Sequence, residues 1–284
     1  MKEIKRCELK PFDRHPYKVQ DNEEMDALAE SIKEHGIMTP LIVRPIDTGY
    51  EIISGHRRAH AARLAGLETV PAVEVEMSRD EAAVALVDSN LHREHILPSE
   101  KAFAYKLKLE ALSRQGKRTD LTSGQVVPKS DDGRTAAMIG ASSGESYKTV
   151  QRYIRLTKLI PQLLELVDSE RIAFSVGVEL SYLDEHLQQE LIFYISLNDC
   201  TPSYAQANRM HKAANAGTLE EDMLYAIMGE PKPNQREKVI FSFDDLHAYF
   251  PNAQTADDIR AAIFRLLENE KNYREKESRY DEAR

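Results

Sequence analysis

The stretch GYEIISGHRRAHAARLAG, residues 49–66, decides the fold of the N-terminal part of this chain. Its two adjacent isoleucines favour a strand, and the alanine-rich run after Gly55 favours a helix that stops at the last glycine. Free backbone N–H groups at such a helix start bind anions, and Arg57 and Arg58 can each hold phosphate through two hydrogen bonds. The stretch predicts a phosphate site, although a surface turn with solvated charges has the same pattern.

The elements around this stretch predict a mixed α and β domain. Asp21–His35 has the apolar spacing of an amphipathic helix, and Thr39–Arg44 is typical of a short buried strand. Downstream, Val70–Met77 alternates as a strand does, and Ser78 with Glu81 predicts a capping box that begins another helix. That helix runs into the segment DSNLHRE, residues 88–94.

This order of motifs resembles the ParB/Spo0J family of chromosome and plasmid partition proteins. The resemblance is carried by residues 31–44, 49–72 and 90–105, and it extends loosely to about residue 215. It implies an α+β N-terminal domain of the ParB/sulfiredoxin-like fold, followed by an all-α helix-turn-helix bundle and a small α/β C-terminal unit. Departures from the family's motifs favour a member of the mobile-element type.

The resemblance also implies a nucleotide site that holds CTP and Mg²⁺. The matching or replaced positions are Lys18, Gly55, His56, Arg57, Arg58, Asn90 and Arg93. His56 and Ser89 stand where the family has acids, and Asp88 is the neighbouring carboxylate that could join Asn90 at a metal. Lys18 replaces a glutamine linked to hydrolysis, and an ammonium group cannot orient a water as an amide does. We therefore predict nucleotide binding, with at most weak CTPase activity.

A basic segment, Ser146–Ile160, predicts the DNA-binding helix. It contains no acidic residue, and its apolar residues are spaced to pack one side of a helix. The preceding Thr135–Gly140 predicts a short helix and Ala141–Glu145 a turn, in which Ser142–Glu145 looks inserted relative to the family. The candidate DNA contacts are Tyr147, Lys148, Gln151, Arg152 and Arg155. A basic helix packed inside a bundle is the alternative interpretation.

Composition shifts along the chain predict five segments. They are a nucleotide-binding domain (1–115), a connector (116–132), a helix-turn-helix domain (133–217), a linker (218–236) and a C-terminal unit (237–284). The last unit reads as a strand, Lys238–Phe243, with helices over Asp244–Phe250 and Thr255–Glu270. Such a small unit buries little core alone, so we expect it to pair with a second copy as a homodimer.

Composition excludes several classes of protein. A net charge of −9 over 284 residues argues against nucleic-acid binding by the whole surface. No apolar run has the length of a membrane span and no signal peptide is visible, so we expect a cytoplasmic protein without membrane contact, associated with the nucleoid or a plasmid. Cys7 and Cys200 have no zinc-ligand spacing.

The function implied by the resemblance is a nucleotide-gated dimeric clamp that loads on a centromere-like site in double-stranded DNA. A ParA-type ATPase is an implied partner, although the family's N-terminal contact peptide is short or missing here. One alternative is a mobile-element transcriptional regulator or antisilencing factor without a partition role. Another is a free-standing kinase of the same fold, which would need neither the helix-turn-helix nor the pairing unit. A sulfiredoxin would need cysteine in place of His56.

Overall fold

The computed structural model describes residues 1–91, 93, 95–123, 132–230, 246, 249–250 and 255–281. The chain divides into two compact units, residues 1–230 and 231–284. The first unit is an α+β domain followed by helices, which confirms the predicted fold class for this part. The predicted strand Lys238–Phe243 and most of the helix predicted over Asp244–Phe250 lie outside the described residues.

A five-stranded mixed sheet forms the centre of the N-terminal domain. The strands are β1 (Lys2–Lys5), β2 (Leu9–Lys10), β3 (Leu41–Ile46), β4 (Gly49–Ser54) and β5 (Thr69–Glu74). Their order is β1-β5-β3-β4-β2; β1/β5 and β3/β4 are antiparallel, whereas β3/β5 and β2/β4 are parallel. The predicted strands around residues 39–44, 49–54 and 70–77 are therefore confirmed, and β1 and β2 were not predicted from the sequence.

Four helices cover this sheet, namely α1 (Glu23–His35), α2 (His56–Leu64), α3 (Arg79–Asn90) and α4 (Pro98–Ser123). Ile52 packs with residues of α1 and α2, whereas the next residue, Ile53, packs with residues of α3 and α4. This alternation follows from the two-residue repeat of a strand. The predicted capping box is present, because Ser78 Oγ accepts from Glu81 N and Glu81 Oε2 accepts from Ser78 N. Gly55 lies at the junction of β4 and α2.

Helix α4 is longer than the sequence indicated. The connector predicted over residues 116–132 is helical as far as Ser123, and residues 124–131 lie outside the described part. Once a helix is nucleated, each further residue adds one backbone hydrogen bond, so a single glycine such as Gly116 need not end it. The polar composition of this segment was therefore a poor guide to its conformation.

The helix-turn-helix is formed by α5 (Asp132–Ser143) and α6 (Tyr147–Leu156). The turn is three residues long, Gly144–Ser146, so the longer turn predicted over Ala141–Glu145 and its inserted residues were wrong. The Glu145 carbonyl oxygen lies 2.5 Å from where a side chain at Gly140 would begin, and Glu145 N donates to Gly140 O at 2.9 Å. Gly140 thus permits a close approach inside α5 and does not end the helix.

A helical bundle completes the first unit. Its helices are α7 (Pro161–Asp168), α8 (Phe174–Leu180), α9 (Glu185–Asn198), α10 (Tyr204–Asn215) and α11 (Glu221–Gly229). Leu156 of α6 is fully buried in the core of this bundle, which fixes the position of the helix-turn-helix. In the second unit, α12 (Ala256–Asp281) is described. Of the helices that the structure describes, none is long and apolar enough to cross a bilayer.

Candidate nucleotide and nucleic-acid sites

A cavity of about 530 Å³ opens where β4 meets α2. Its other walls come from the loop after β2, the first turn of α1 and the end of α3. The structure brings all seven predicted nucleotide-site residues to its lining, which are Lys18, Gly55, His56, Arg57, Arg58, Asn90 and Arg93. These residues come from positions up to 75 apart in the sequence, and only the fold places them together.

Gly55 shapes the cavity at the start of α2. Its φ of +102° lies in the left-handed region, and a Cβ there would come within 3.1 Å of Leu41 Cγ. Any other residue would therefore be strained at this position and would also crowd the neighbouring strand. The sharp turn leaves the first N–H groups of α2 without a carbonyl partner inside the helix, which is the usual basis of an anion site.

The two adjacent arginines are held differently. Arg58 donates from Nη1 to the carbonyl oxygens of Thr39 and Pro40, the latter at 3.0 Å, so it anchors the entry to β3. Arg57 instead pairs through Nη2 with Glu24 Oε2 at 3.0 Å, and Glu24 is largely exposed. Exposed ion pairs contribute little energy, so a phosphate could replace Glu24 readily. Arg57 is therefore the arginine better placed to bind a ligand.

His56 contributes packing and a hydrogen bond, and it carries no charge at neutral pH. Its Nε2 accepts from Phe12 N at 3.3 Å, and its ring lies 3.8 Å from the ring of His15. Burial, and then the neighbouring His15 and Arg93, lower the pKa of His56 to about 3. The replacement of an acid by histidine at this position therefore leaves the cavity more positive without adding a cation.

We expect His56 to make the free energy of unfolding depend on pH. Its pKa is lower in the folded chain than the ordinary value of 6.5, so the unfolded chain binds the extra proton first. The contribution of His56 to the free energy of unfolding is complete above pH 6.5, and it is lost as the pH falls towards 3. The free energy of unfolding, measured with denaturant at pH 7 and at pH 5, should differ less between the two pH values in His56→Gln than in the native chain. The exposed His186→Gln serves as control, and an equal difference in all three proteins would contradict this assignment.

The remaining predicted residues of the cavity have partners of different kinds. Lys18 Nζ lies 3.3 Å from Asp168 Oδ2, at the end of α7. Asn90 donates from Nδ2 to Leu86 O at 2.8 Å, within its own helix. Arg93 lies over the ring of Tyr17, with 5.7 Å between its Cζ and the ring centre.

The donor set does not fit a magnesium ion held by the protein. Asp88, the carboxylate predicted to join Asn90, pairs with Lys108 of α4 and is not part of the cavity lining. Ser89 Oγ donates to Leu86 O at 3.0 Å. Among the described residues, no three His, Cys, Asp or Glu side chains converge to hold a metal ion. Asp88 and Asn90 are therefore not brought together at this cavity, and their predicted pairing at a metal gains no support.

A second surface, the cationic groove, lies along α6 and has a volume of about 620 Å³. Four of the five predicted DNA contacts line this groove. The fifth, Tyr147, accepts a hydrogen bond from Gln151, which is one of the four. Lys106 and Lys158 are two further cations of the groove, and neither was predicted as a DNA contact. Lys106 lies on α4, about 40 residues before α6, so the helical pattern of α6 could not reveal it. Counting the described residues alone, the lining contains five cations and no carboxylate.

The cations of the groove differ in their freedom to bind DNA. Arg152 and Lys148 are exposed, and the Arg152 Cζ lies 5.0 Å from the centre of the Phe174 ring. Arg155 donates from Nη2 to Ser181 O at 3.0 Å and stacks on Tyr182 at 3.9 Å. Its guanidinium group therefore fastens α6 to the end of α8, a structural role that the sequence did not indicate.

Comparison with known proteins gives one consistent result. Residues 1–91 match the family model of the ParB N-terminal domain. The chain is 34% identical over 177 residues to the stage 0 sporulation protein J of Bacillus subtilis (strain 168), covering 62% of this chain and 56% of that protein. The chain thus spans about half the length of this curated relative.

The chain also matches two solved structures of one protein. Both are C-terminally truncated forms of the chromosome-partitioning protein ParB from Caulobacter crescentus. The complex with the centromeric parS site has a TM-score of 0.42 at 19% identity, covering 80% of this chain and 98% of that chain. The complex with CTP-gamma-S has a TM-score of 0.31 at 22% identity, covering 67% and 98%.

Proposed function

We propose that the protein is a DNA-partition factor of the ParB/Spo0J type, because its residues 1–91 match the model of the ParB N-terminal domain. In this proposal it loads on a centromere-like site in double-stranded DNA and closes as a nucleotide-gated clamp. The observation that carries the proposal is the convergence of seven residues, predicted from the sequence alone, on one cavity. The cationic groove along α6 supplies the DNA-binding surface.

The proposed ligand of the cavity is CTP. Its phosphates would lie against the start of α2, where Arg57 can exchange Glu24 for a phosphate oxygen. The neutral His56 beside them leaves the net charge of this end positive. Magnesium, which the family resemblance implies, would enter with the triphosphate and not as an ion held by Asp88.

The proposed partners are double-stranded DNA, a second copy of the chain and a ParA-type ATPase. DNA would lie along α6, because phosphate oxygens and base edges accept hydrogen bonds from the exposed Lys148 and Arg152. In the second unit, Phe264, Leu266 and Leu267 of α12 are each more than half exposed. Exposed apolar side chains on one helix favour pairing with a second copy.

Thermal unfolding with added nucleotide tests the nucleotide site. A ligand that binds only the folded state raises the apparent stability by mass action. We expect CTP with Mg²⁺ to raise the melting temperature more than ATP or GTP at equal concentration. Equal melting temperatures with and without all three nucleotides would overturn the proposed site.

Hydrolysis of the nucleotide should be slow or absent. Lys18 stands in the loop where an amide would orient the attacking water, and its ammonium group can only donate hydrogen bonds. Phosphate release should therefore stay near the background rate with and without cognate DNA. Restoring the amide in Lys18→Gln should raise it. A native rate that rises strongly with DNA would contradict this prediction.

Chromatin precipitation tests the DNA function and separates it from the main alternative. A clamp that spreads should give broad coverage on both sides of one locus. Isolated peaks at promoters would point to a transcriptional regulator or antisilencing factor instead. A free-standing kinase should give no specific peaks.

A further inference from the structure

Lys18, on the wall of the nucleotide cavity, is held by a residue of the helical bundle. Its Nζ lies 3.3 Å from Asp168 Oδ2, across 150 residues of sequence. A second cavity of about 500 Å³ adjoins the nucleotide cavity, and Lys18 lines both. Asp168 lines the second cavity but not the nucleotide cavity. The ammonium group of Lys18 therefore points out of the nucleotide cavity.

Asp168 is built into the junction between α4 and α7. Its Oδ1 accepts from Ser99 N at 2.9 Å and its Oδ2 from Ser99 Oγ at 2.5 Å, so it caps the first turn of α4. Its side chain is 8% exposed, whereas that of Lys18 is 54% exposed. Lys18 is thus the exposed partner of a nearly buried carboxylate.

The backbone of the same loop is fastened to the same junction. Lys18 N donates to Glu100 Oε1 at 2.7 Å, and the other oxygen of Glu100 accepts from Leu97 N at 3.2 Å. The loop therefore stays against the start of α4 while the Lys18 side chain can turn between two directions. One leads to Asp168 and the other to the nucleotide cavity.

We propose that Asp168 is a positioning residue that competes with the nucleotide phosphates for the ammonium group of Lys18. The inference rests on the proposed nucleotide site. When Lys18 turns to a phosphate, the carboxylate of Asp168 loses its cation in a nearly buried position, which costs free energy. Nucleotide affinity and the electrostatics of the α4–α7 junction are thereby coupled, although no residue of α7 lines the nucleotide cavity.

Substitution of Asp168 by asparagine tests the competition. Asn keeps an oxygen that accepts from Ser99 N, and its uncharged NH2 group, which replaces the second oxygen, can donate to Ser99 Oγ. The CTP affinity of the full chain, measured by isothermal titration calorimetry, should increase about five- to tenfold in Asp168→Asn. Glu170→Gln is the matched control, because Glu170 lines the same second cavity and should leave the affinity unchanged.

The double variant separates positioning from capping. In the Lys18→Gln background, Asp168→Asn should no longer change CTP affinity, whereas a capping role alone would affect both backgrounds equally. Asp168→Ser, which retains an acceptor for Ser99 N, repeats the test if the asparagine variant does not fold. Equal or weaker CTP binding by the Asp168 variants would overturn this inference and leave the nucleotide site standing. No binding of CTP, ATP or GTP by the native chain would overturn both.

Discussion

Arg57→Ala should lose nearly all of the stabilisation that CTP gives to the native chain. Arg57 lines the cavity, and among the described residues its guanidinium pairs with the exposed Glu24. A hydrogen bond to a charged group contributes about 1.5 to 3 kcal/mol, which corresponds to about a ten- to hundredfold loss of affinity. Thermal unfolding over a CTP titration, followed by calorimetry on both proteins, measures the loss.

Two neighbouring arginines serve as comparisons for this result. Arg63 lies on the same helix but outside the nucleotide cavity, so Arg63→Ala should keep the native response to CTP. Arg58→Ala should also lower the melting temperature without ligand, because Arg58 anchors the carbonyl groups of Thr39 and Pro40. If Arg57→Ala responded to CTP as the native chain does, the phosphate site would lie elsewhere.

The second large effect should appear on the DNA face. Arg152→Ala should lose about 1 to 3 kcal/mol of affinity for the cognate site and little for random DNA, as expected when a base contact is removed. Lys148→Ala should weaken binding to the cognate site and to random DNA alike. It should also lower the slope of log affinity against log salt concentration by about one. Competition between cognate and random duplexes at several salt concentrations distinguishes the two roles, once chromatin precipitation has supplied the site.

Arg155 should behave differently from both. Because it bonds to Ser181 and stacks on Tyr182, Arg155→Ala should lower the melting temperature of the free protein as well as the DNA affinity. Lys33→Ala, an exposed lysine on α1 outside the groove, is the control and should bind DNA normally. If the alanine variants at Lys148, Arg152 and Arg155 all bound like the native chain, the DNA-binding element would lie elsewhere.

Local signals predicted most of the N-terminal domain. A capping box needs only Ser78 and Glu81, three residues apart, and a helix start at Gly55 needs only a glycine before a helix-forming run. Local signals of the same kind gave a wrong prediction where a tertiary contact determined the role of a residue. Gly140 resembled a helix end, but its missing side chain makes room for the Glu145 carbonyl and the helix continues past it.

The sequence by itself determined the order of the elements from α1 to α3 and the start of α2, because propensity, capping and motif spacing act over a few residues. Through the family resemblance it also indicated seven of the residues that line the nucleotide cavity. Tertiary structure alone decided which side chains are free to bind. Arg58 and Arg155 are held by backbone carbonyls 18 and 26 residues away, and Lys18 by a carboxylate 150 residues away. Such partners are set by chain folding, because contacts between distant residues leave no periodic pattern in either segment.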